Sequence, residues 1–437
     1  MAASLSPELD YAEDEKALCK ELPVSFPSAA PPTPGDTVFL TGATGYLGAY
    51  ILHDLIAHRG FKKVICHVRA PSTPAALQRL ADSGTGRGVW DKAWVTGGVI
   101  EVVTGDLDKP QLGMDAVTWR RVADEASVII HNGAVVHWVY PYVRMRAANV
   151  LATVEALRLA ATGRAKALTF ISTTATIEKG EYVRMAESSK QRGGLGVPES
   201  DPLDLGRTGL TTGYGQSKWV AERLVMEAGR RGLAGGIVRP SYIVGDVESG
   251  VTNTDDFLWR LVKGCIQLGR VPDIFNTVNM VPVNHVARIT TAVALSAKAG
   301  MPVHHVTARP LPRFNDFLGA LNTYGWQLER VEYLVWREQL EQHVLETQDN
   351  ALFPLLHFVL DDLPTSMKAA ELDDTHTATL LRSLGDPDSI TIDLKQMGVY
   401  LAWLIAAGFL DKPPTSGSAN LPELTGEARA IGRSTGH

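Results

Sequence analysis

The 437-residue sequence is poor in cysteine and has no surplus of positive charge. Its three cysteines, Cys19, Cys66 and Cys265, lie far apart and form no CxxC pair. This spacing argues against a disulfide framework and against a zinc site. We therefore predict no metal site, and reduced thiols as in a cytoplasmic protein. The formal net charge of −6 at pH 7 argues against a general nucleic-acid-binding protein.

Long apolar runs are also missing. The N-terminus, MAASLSPELDYAEDEK, is acidic and has no apolar core, unlike a secretory signal peptide. The longest apolar stretch, VYLAWLIAAGFL, begins at Val399 and is too short to span a bilayer. It predicts a packed helix that ends at Gly408. No membrane association is expected, and a composition of 45% apolar and 21% charged residues is typical of a globular enzyme.

The most informative motif is VFLTGATGYLG, residues 38–48. An apolar run ends at a threonine, glycines follow at Gly42, Gly45 and Gly48, and an amphipathic segment begins at once. This pattern predicts a buried strand, a tight turn and a helix. Because glycine has no Cβ, backbone N–H groups and the positive helix N-terminus can approach a dinucleotide pyrophosphate. With both flanking elements present, the motif favours a dinucleotide site over an ordinary turn.

The next predicted strand, within residues 62–70, indicates which dinucleotide binds. It ends at Arg69, where a carboxylate would suit the ribose 2′-OH of NAD and an arginine the 2′-phosphate of NADP. No acidic residue lies between Gly60 and Leu80, whereas Arg69 and Arg79 do. A guanidinium can pair with phosphate through two hydrogen bonds. The sequence favours NADPH, the alternative being two solvated surface arginines.

Strands and helices alternate from Thr37 onward, which predicts an α/β fold with a Rossmann-like, doubly wound parallel sheet. The predicted strands are 37–41, 63–68, 99–104, 127–131, 167–172 and 235–239, and the predicted helices between them lie near 46–58, 73–82, 115–124, 146–161 and 213–231. Beyond Gly245 the pattern is mainly helical, with helices predicted at 314–323, 337–347, 350–361 and 395–407. The expected parts are an N-terminal helix with a proline-rich linker (1–36), a dinucleotide-binding domain (37–245, with 276–310 returning to it), a smaller, mainly helical substrate domain (246–412) and a mobile tail (413–437).

Tyr214 and Lys218, in TGYGQSKWVAERLV, are the candidate catalytic pair. They lie one helical turn apart and so share a helix face. The pKa of a free tyrosine, about 10, would have to fall by roughly 3 units for proton exchange near neutrality, and a lysine ammonium one turn away could supply much of this. Ser172, Thr173 and Thr174 end an earlier predicted strand, where open α/β sheets bind ligands. We expect Thr174 to hydrogen-bond a substrate carbonyl oxygen, although a capped strand end would also explain these threonines.

Several motifs together resemble the extended short-chain dehydrogenases/reductases over residues 37–310: TGATGYLG, GDL, HNGA, ISTTAT, YGQSK and RPSYIVG. A narrower resemblance covers nearly the whole chain. It is to the terminal thioester-reductase domain of fungal α-aminoadipate reductases, a type that also ends fungal non-ribosomal peptide synthetases. The segments that carry it are HNGAVVHWVYPY, GYGQSKW, NTDDFL, KGCIQLG, NMVPVNHVAR and AAELDD.

The resemblance implies a role for individual residues. Thr174, Tyr214 and Lys218 match the catalytic set, and Asn149 matches an asparagine that supports the lysine through water. The residues that match cofactor contacts are Gly42, Thr44, Gly45, Tyr46 and Leu47 for the pyrophosphate, Arg69 and Arg79 for the 2′-phosphate, Asp106 and Leu107 for adenine, and Asn132, Gly133, Ala134, Tyr214, Lys218 and Pro240 along the cofactor path. In two places the sequence departs from the family. The stretch STTAT makes Thr174, rather than Thr173, an alignment choice, and the long, charged segment 178–212 suggests a different substrate entrance.

The implied reaction is reductive release of an acyl thioester from the phosphopantetheine arm of a carrier domain. Hydride from NADPH would reduce the carbonyl while Tyr214 and Thr174 stabilise the oxyanion, and collapse of the hemithioacetal would give an aldehyde and a thiol. The favoured substrate is an L-2-aminoadipyl thioester of lysine biosynthesis, which would yield the 6-semialdehyde. The alternative is release of a peptide, amino acid or polyketide aldehyde or alcohol in secondary metabolism. Residues 246–412 would face the carrier, and the proline-rich stretch 26–36 favours an excised, monomeric domain over a stand-alone reductase.

Three other functions stay open from the residues alone. A sugar-nucleotide epimerase or dehydratase would keep NAD and would usually have an acidic residue in place of Arg69. A non-catalytic, NADP-sensing protein would not need Thr174, Tyr214 and Lys218 together. A cyclising release domain of the Claisen type usually lacks the catalytic tyrosine, whereas Tyr214 is present.

Histidines and aromatic residues near the predicted site have simpler explanations. His131 and His137 flank NGA, and we expect packing or polar lining for both rather than catalysis. Three aromatic residues follow closely in the chain, and either pocket lining or core packing would explain them: Trp138, Tyr140 and Tyr142.

Overall fold

Short apolar strands form a mostly parallel sheet at the centre of the computed structural model, which describes residues 9–137, 139–347, 350–353 and 369–424. The strands are β1 (Thr37–Thr41), β2 (Lys63–Val68), β3 (Ile100–Thr104), β4 (Val128–His131), β5 (Ala167–Ile171), β6 (Ala234–Pro240), β7 (Tyr242–Ile243), β8 (Arg270–Asp273), β9 (Met280–Val281), β10 (Lys298–Ala299), β11 (Val303–Val306) and β12 (Glu329–Glu332). The main sheet has the order β10-β6-β5-β4-β1-β2-β3, and β11 also pairs with β6. Within it only β10 is antiparallel to its neighbour. The order β3-β2-β1-β4-β5-β6 is that of a doubly wound sheet, so the predicted fold class is confirmed.

Helices cover both faces of this sheet. They are α1 (Tyr11–Glu21), α2 (Tyr46–His53), α3 (Thr73–Gly86), α4 (Ala93–Thr96), α5 (Ala116–Glu125), α6 (Tyr142–Arg146), α7 (Ala152–Ala161), α8 (Gly180–Gln191), α9 (Gly213–Arg230), α10 (Phe257–Leu268), α11 (Val283–Ser296), α12 (Phe314–Thr323), α13 (Tyr333–Thr347), α14 (Thr375–Ser383) and α15 (Leu394–Ala406). A π-helical turn at Asp54–His58 extends α2, and another at Ala147–Leu151 joins α6 to α7. The 3₁₀ turns are Pro110–Gly113, Thr174–Ile177 and Asp204–Arg207.

Alternate residues of each strand face opposite cores, because successive side chains of a strand point to opposite faces of the sheet. In β1, Phe39 packs into the core shared with α5, α7 and α9. Its neighbours Val38 and Leu40 pack into the core shared with α2 and α11. Both faces are therefore apolar, which explains why these strands are continuous hydrophobic runs in the sequence.

A third hydrophobic core lies beyond β6. It is built by α10, α12, α13 and α15 around Trp259, Trp336, Trp403 and Tyr400, which are all buried. Strands β8 and β12 form a separate two-stranded parallel sheet beside it. Between these helices the chain returns to the main sheet, since α11 packs against α2 and β11 pairs with β6. None of the helices in the described part of the chain is both long and apolar enough to cross a membrane.

The N-terminal helix is part of the main fold. Helix α1 packs on α9, and the Tyr11 hydroxyl donates to the carbonyl oxygen of Gly206 at 2.8 Å. The buried Asp14 carboxylate accepts hydrogen bonds from the Tyr142 hydroxyl and from Arg146 Nε, the latter at 2.7 Å. The predicted helix is therefore confirmed, but it is tied to the body by buried polar contacts as well as by apolar packing.

Several segments differ from the sequence prediction. Helices α8 and α14 were not expected, because both are short and polar. Residues 350–353 form a turn where a helix was predicted for 350–361, and residues 354–361 lie outside the described part. The C-terminal segment was expected to be a mobile tail, but hydrogen bonds connect its described part to the end of α12 and the loop after it. Thr415 Oγ1 donates to the Gly325 carbonyl at 2.9 Å, and Ala419 N donates to the Thr323 carbonyl at 3.1 Å. Residues 425–437 lie outside the described part.

Candidate active site

The glycine turn between β1 and α2 has the geometry that the motif predicts. Gly42 has φ +70°, a conformation that favours glycine, and a Cβ there would lie 2.8 Å from Asn132 Nδ2 and from Gly133. A Cβ on Gly48 would lie 2.0 Å from the Gly42 carbonyl oxygen, whereas one on Gly45 would lie 3.1 Å from it. The absence of side chains therefore lets the chain fold back tightly at the N-terminus of α2, where backbone N–H groups attract anions.

Hydrogen bonds connect the same turn to the residues at the end of β4. Asn132 Nδ2 donates to the Gly42 carbonyl at 3.2 Å, and Gly133 N donates to Thr41 Oγ1 at 2.9 Å. His131 Nδ1 also contacts Thr41 Oγ1, at 3.0 Å. Burial holds the pKa of His131 down at about 3, so this ring stays neutral and has the polar packing role that we expected. The structure thus brings Asn132 and Gly133 to the turn, and Ala134 follows them at the sheet edge.

Some residues at the start of α2 offer backbone groups to a ligand, whereas the side chain of another contacts a distant loop. Thr44 and Leu47 lie at the helix N-terminus, and Ser83 Oγ donates to the Thr44 carbonyl at 2.9 Å. The Tyr46 side chain points elsewhere: its hydroxyl lies 2.9 Å from the Val244 carbonyl and 2.8 Å from the Val251 carbonyl. Of Tyr46, only the backbone N–H therefore remains at the helix terminus to meet a pyrophosphate, and the ring ties α2 to the loop after β7.

Two arginines and an aspartate line one cleft of about 510 Å³ at the ends of β2 and β3. Arg79 Nη1 donates to the Arg69 carbonyl at 2.7 Å. Burial, followed by repulsion from Arg69, lowers the pKa of Arg79, while Asp106 opposes this. Among the described residues, no carboxylate forms an ion pair with either guanidinium. Two adjacent guanidinium groups without a carboxylate partner suit a phosphate ligand.

Two further predicted cofactor contacts, Leu107 and Pro240, lie outside the lining of this cleft. The Leu107 side chain packs against Gly133, where a Cβ would meet Leu107 Cδ1 at 2.8 Å. Pro240 is the last residue of β6 and pairs with Val306 in the sheet. Both residues lie at the edge of the sheet where the strands end, the usual place of ligands in open α/β folds.

Tyr214 and Lys218 lie in the first turns of α9. Thr212 caps this helix, since its Oγ1 accepts from Gly215 N at 3.1 Å. Burial raises the pKa of Tyr214 to about 12, although a hydrogen bond with the Thr173 side chain opposes the rise. The expected lowering by Lys218 is absent, because Lys218 Nζ donates to the carbonyl oxygen of Ile171 instead. The tyrosine is therefore a protonated group at neutral pH.

Thr173, and not Thr174, is the threonine that contacts Tyr214. Residues 174–177 form a 3₁₀ turn that Thr173 caps, with Thr173 Oγ1 accepting from Ala175 N at 3.2 Å. The cap holds Thr173 at the end of β5, beside Tyr214. Thr174 enters the turn and is buried, and among the described residues its side chain makes no hydrogen bond. The catalytic role of Thr174 stays a prediction, whereas the structure has Thr173 beside Tyr214, because sequence spacing could not reveal where the turn begins.

Buried charges surround Lys218. Its Nζ lies 4.3 Å from the centre of the Phe170 ring, and burial lowers its pKa to about 7 while Glu222 opposes this shift. Glu222 lies one turn further along α9 and forms a fully buried ion pair with Arg239. Glu222 also accepts a hydrogen bond from Ser172 Oγ. The catalytic helix is thereby anchored to β5 and β6 directly beneath the site.

Asn149 lies in the π-helical turn between α6 and α7. Its Oδ1 accepts from Val135 N at 2.7 Å, and its Nδ2 donates to Ser217 Oγ at 2.9 Å. π-turns occur frequently at functional sites. Asn149 therefore joins the loop after β4 to the residue that precedes Lys218, and its support of Lys218 through water stays a prediction.

The aromatic residues after β4 have different environments. Tyr142 is buried in the contact with α1 and belongs to the core. Tyr140 is partly exposed, stacks on His137 with ring centres 3.5 Å apart, and lies under the Arg144 guanidinium at 3.8 Å. Trp138 lies outside the described residues.

Glu178 is a residue of this region that the sequence reasoning missed. It follows the 3₁₀ turn that begins at Thr174, and its charge helps to raise the pKa of both Tyr214 and Tyr242. No motif marks it, because it opens the charged segment 178–212 that we assigned to a substrate entrance. The only signal was its position, four residues after Thr174.

Comparison with known proteins identifies the family to which this chain is similar. A family model described as male sterility protein, an NAD-binding domain, matches residues 40–290. The L-2-aminoadipate reductase of Schizosaccharomyces pombe is 48% identical over 429 residues, which is 96% of this chain and 30% of that protein. The large subunit of L-2-aminoadipate reductase from Penicillium chrysogenum is 47% identical over 436 residues, covering 96% of this chain and 31% of that protein. The chain thus spans about a third of the length of these relatives.

Solved structures agree with this assignment. The terminal R domain of the myxalamid PKS-NRPS biosynthetic pathway superposes with a TM-score of 0.77 at 30% identity, covering 92% of this chain and 100% of that one. The PhqB reductase domain from Penicillium fellutanum has a TM-score of 0.62 at 26% identity, covering 87% of this chain and 88% of that one. The residues that the family model matches, 40–290, include the glycine turn, Tyr214 and Lys218. This chain belongs to the male sterility protein family of NAD-binding domains.

Proposed function

We propose that the chain is an NADPH-dependent reductase that releases an acyl thioester from a carrier domain as an aldehyde. The observation that carries the proposal is the pair of hydroxyl groups of Thr173 and Tyr214, which meet at the end of β5, on the same sheet edge as the glycine turn that follows β1 two strands away. The substrate we propose is an L-2-aminoadipyl thioester on a phosphopantetheine arm. It is supported by the likeness to two aminoadipate reductases along almost the full length of this chain.

The residues present fit NADPH. Gly42 and Gly48 leave a cradle that Cβ atoms would fill, next to the N-terminus of α2. Arg69 and Arg79 would hold the 2′-phosphate, since they repel one another and have no carboxylate ion-pair partner among the described residues. Asp106 lines the same cleft and would contact the adenosine. When bound, NADPH supplies the hydride for reduction of the carbonyl.

The hydroxyl groups of Thr173 and Tyr214 would act on the thioester carbonyl oxygen. Hydrogen bonds from fixed donors stabilise the negative charge that develops there as the carbonyl is reduced. Thr173 Oγ1 accepts a hydrogen bond from Ala175 N, so on substrate binding its proton would pass from the hydrogen bond with Tyr214 to the carbonyl oxygen. Tyr214 has a pKa raised to about 12 by burial, so at neutral pH it carries the proton that the oxyanion must receive. The protonated product is a hemithioacetal.

Lys218 and Tyr214 would then complete the release. The Lys218 ammonium, which in this structure donates to the Ile171 carbonyl, would turn towards Tyr214 and stabilise the tyrosinate that remains after proton transfer. Tyr214 can then take back the proton of the hemithioacetal hydroxyl as the carbon–sulfur bond breaks. The sulfur departs with the bonding electrons and gains a proton, giving a free thiol and an aldehyde. Each acyl group released in this way consumes one hydride and one proton from solution.

The proposal can be tested with a pantetheine thioester of L-2-aminoadipate. We expect oxidation of NADPH, followed by its absorbance, and little oxidation of NADH in a parallel assay. Adipyl, aminoacyl and polyketide thioesters serve as comparison substrates. Selective turnover of other thioesters would indicate that the protein releases products of secondary metabolism. No turnover of any thioester would contradict the reductase proposal.

A further inference from the structure

A cavity of about 570 Å³ lies apart from the candidate active site. Its walls come from α2, the end of α3, the loop after β7, α11 and α15, and it shares no lining residue with the cleft of Arg69 and Arg79. The volume is within the usual range of small-molecule sites. We propose that this cavity binds a free α-amino acid, with the carboxylate at Arg87 and the ammonium group at Glu248. The inference goes beyond the proposed function and does not depend on it.

Arg87 provides a fixed cation in the wall of the cavity. Its side chain lines the cavity although the residue is only 9% exposed. Its Nη1 donates to the carbonyl oxygen and to Oγ of Ser83, both at 2.6 Å. The guanidinium also lies over the Tyr46 ring, 5.8 Å from the ring centre. These contacts hold the group in one orientation, so a ligand would meet a preorganised donor.

The positive charge of Arg87 has no counter-ion within the described ranges. None of the ion pairs there includes this residue, and its Nε is buried without a hydrogen-bond partner. Burial lowers the pKa of Arg87, and the groups that oppose this shift are Tyr46 and Tyr50 rather than a carboxylate. A buried cation costs free energy unless an anion joins it. A ligand carboxylate at Nη2 would be such an anion.

Two residues of α11 add polar groups to the same cavity. Arg288 is half-buried and belongs to none of the ion pairs in the described part of the chain. Asn284 lies one helical turn before it, and the Asn284 Oδ1 atom is buried without a hydrogen-bond partner. A buried polar group that lacks a partner costs free energy, which a bound ligand would recover.

Carboxylates line another part of the cavity. Glu248 is exposed there and takes part in no ion pair among the residues that the structure describes. Asp246 is buried, and its Oδ1 accepts from Glu248 N at 2.9 Å and from Ser249 N at 2.8 Å. These hydrogen bonds fix the turn that carries Glu248. The remaining acid of the lining, Asp54, is already paired with Arg59 at 3.4 Å.

Charges of both signs in one cavity favour a ligand that also carries both signs. Arg87 forms no ion pair with Asp246 or Glu248, so these groups are too far apart to neutralise one another directly. A simple anion at Arg87 would be repelled by the two carboxylates, and a simple amine at Glu248 would be repelled by the guanidinium. An α-amino acid has a carboxylate and an ammonium group on one carbon and can bridge the two. An aliphatic side chain would suit the apolar part of the lining, which includes Val89, Val251, Ala287 and Trp403.

The first test compares three probes that have the same aliphatic chain. L-Norleucine carries both charges, hexanoate carries only the carboxylate, and pentylamine carries only the ammonium group. Calorimetric titration of the full chain gives the three dissociation constants. We expect L-norleucine to bind at least about tenfold more tightly than either of the others, the effect of one additional charged hydrogen bond. Hexanoate or pentylamine binding as tightly as L-norleucine, or no binding of L-norleucine, would overturn the inference.

Variants at the two ends assign the charges. Arg87→Gln should weaken L-norleucine and hexanoate by about tenfold and leave pentylamine unchanged, whereas Glu248→Gln should weaken L-norleucine and pentylamine by about tenfold and leave hexanoate unchanged. Glu181→Gln is the matched control, since Glu181 pairs with Lys179 and Arg184, and it should leave all three constants unchanged.

Glu248→Gln decides the matter if Arg87→Gln does not fold, because Glu248 is exposed and its replacement leaves the core intact. The melting temperature of each variant shows whether it is folded. An unchanged affinity of folded Glu248→Gln for L-norleucine would overturn the inference. The titrations contain neither NADPH nor a thioester, so their failure leaves the proposed reductase function standing, and failure of thioester reduction leaves this site standing.

Discussion

The two ends of the candidate site are built in different ways. At the dinucleotide end, the decisive features belong to the backbone: a glycine with positive φ, the missing Cβ atoms, and a helix N-terminus. At the catalytic end, the decisive features are side-chain directions, such as Thr173 towards Tyr214 and Lys218 towards the Ile171 carbonyl. The first kind of feature can be recognised in a short motif, whereas the second depends on packing between distant segments.

The largest expected effect lies at the catalytic end. Tyr214→Phe removes the proposed proton donor and keeps the ring, so we expect kcat for thioester reduction to fall by about 10²- to 10⁴-fold. NADPH affinity, measured by its fluorescence on binding, should change little, because phenylalanine keeps the ring of Tyr214 and the proposed contacts to the pyrophosphate and the 2′-phosphate come from other residues. Unchanged kcat in this variant would show that the catalytic end has been assigned to the wrong side chain.

The next effect concerns the choice of dinucleotide. Replacing Arg69 and Arg79 together by glutamine should raise the KM for NADPH by roughly tenfold to a hundredfold, because charged hydrogen bonds to the 2′-phosphate are lost. The kinetics with NADH should stay the same, since NADH has no such phosphate. The control is Arg120→Gln, an exposed residue of α5 that pairs with Asp124 at 2.8 Å. An equal rise in KM for NADPH and NADH would show that the two arginines do not bind the 2′-phosphate.

A pair of glycine variants tests the backbone account of the dinucleotide end. Gly48→Ala puts a Cβ at 2.0 Å from the Gly42 carbonyl, while Gly45→Ala puts one at 3.1 Å. We expect Gly48→Ala to cost about 1–3 kcal/mol of unfolding free energy and to weaken NADPH binding, and Gly45→Ala to cost less. Urea denaturation and a dinucleotide titration measure the two quantities. If Gly45→Ala proved the more damaging variant, the turn geometry described here would be wrong.

The smallest effect separates two adjacent threonines. Thr173→Ala removes a hydroxyl that contacts Tyr214, so we expect kcat/KM to fall by about tenfold, the value of one hydrogen bond to a developing charge. Thr174→Ala removes a buried methyl and hydroxyl away from that contact and should affect melting temperature more than kcat. If Thr174→Ala lowered kcat/KM more than Thr173→Ala, Thr174 would be the threonine that acts on the substrate, as the sequence alignment suggested.

The sequence allowed the dinucleotide end to be predicted almost completely. The strand, the glycine turn, α2, Arg69 just after β2 and Arg79 within α3 all lie where the pattern indicated. The turn could be recognised because steric constraints at a glycine are local. Tyr46 is the exception at this end. Its backbone is at the predicted position, but its hydroxyl contacts Val244 and Val251, about two hundred residues further along the chain, and no local pattern could reveal that.

At the catalytic end the candidate residues lie in the elements that the sequence predicted, but their contacts could not be predicted. A Tyr-x-x-x-Lys spacing correctly places Tyr214 and Lys218 on one face of α9, yet it implies a lowered tyrosine pKa, whereas burial raises it. The shift depends on how much protein surrounds the hydroxyl, which is a property of the folded chain. Glu178 was missed for the same reason, since its nearness to Tyr214 and Tyr242 arises only when β5, α9 and β7 come together.

The most direct test of the proposed function is the stoichiometry of a single assay with L-2-aminoadipyl-pantetheine. NADPH oxidation, free thiol and aldehyde can be measured together, by absorbance, by a thiol reagent and by trapping with a hydrazine. The proposed function predicts that the three amounts are equal and that all three vanish in Tyr214→Phe. Thiol release without NADPH oxidation would mean hydrolysis, and would contradict the assignment of this site to thioester reduction.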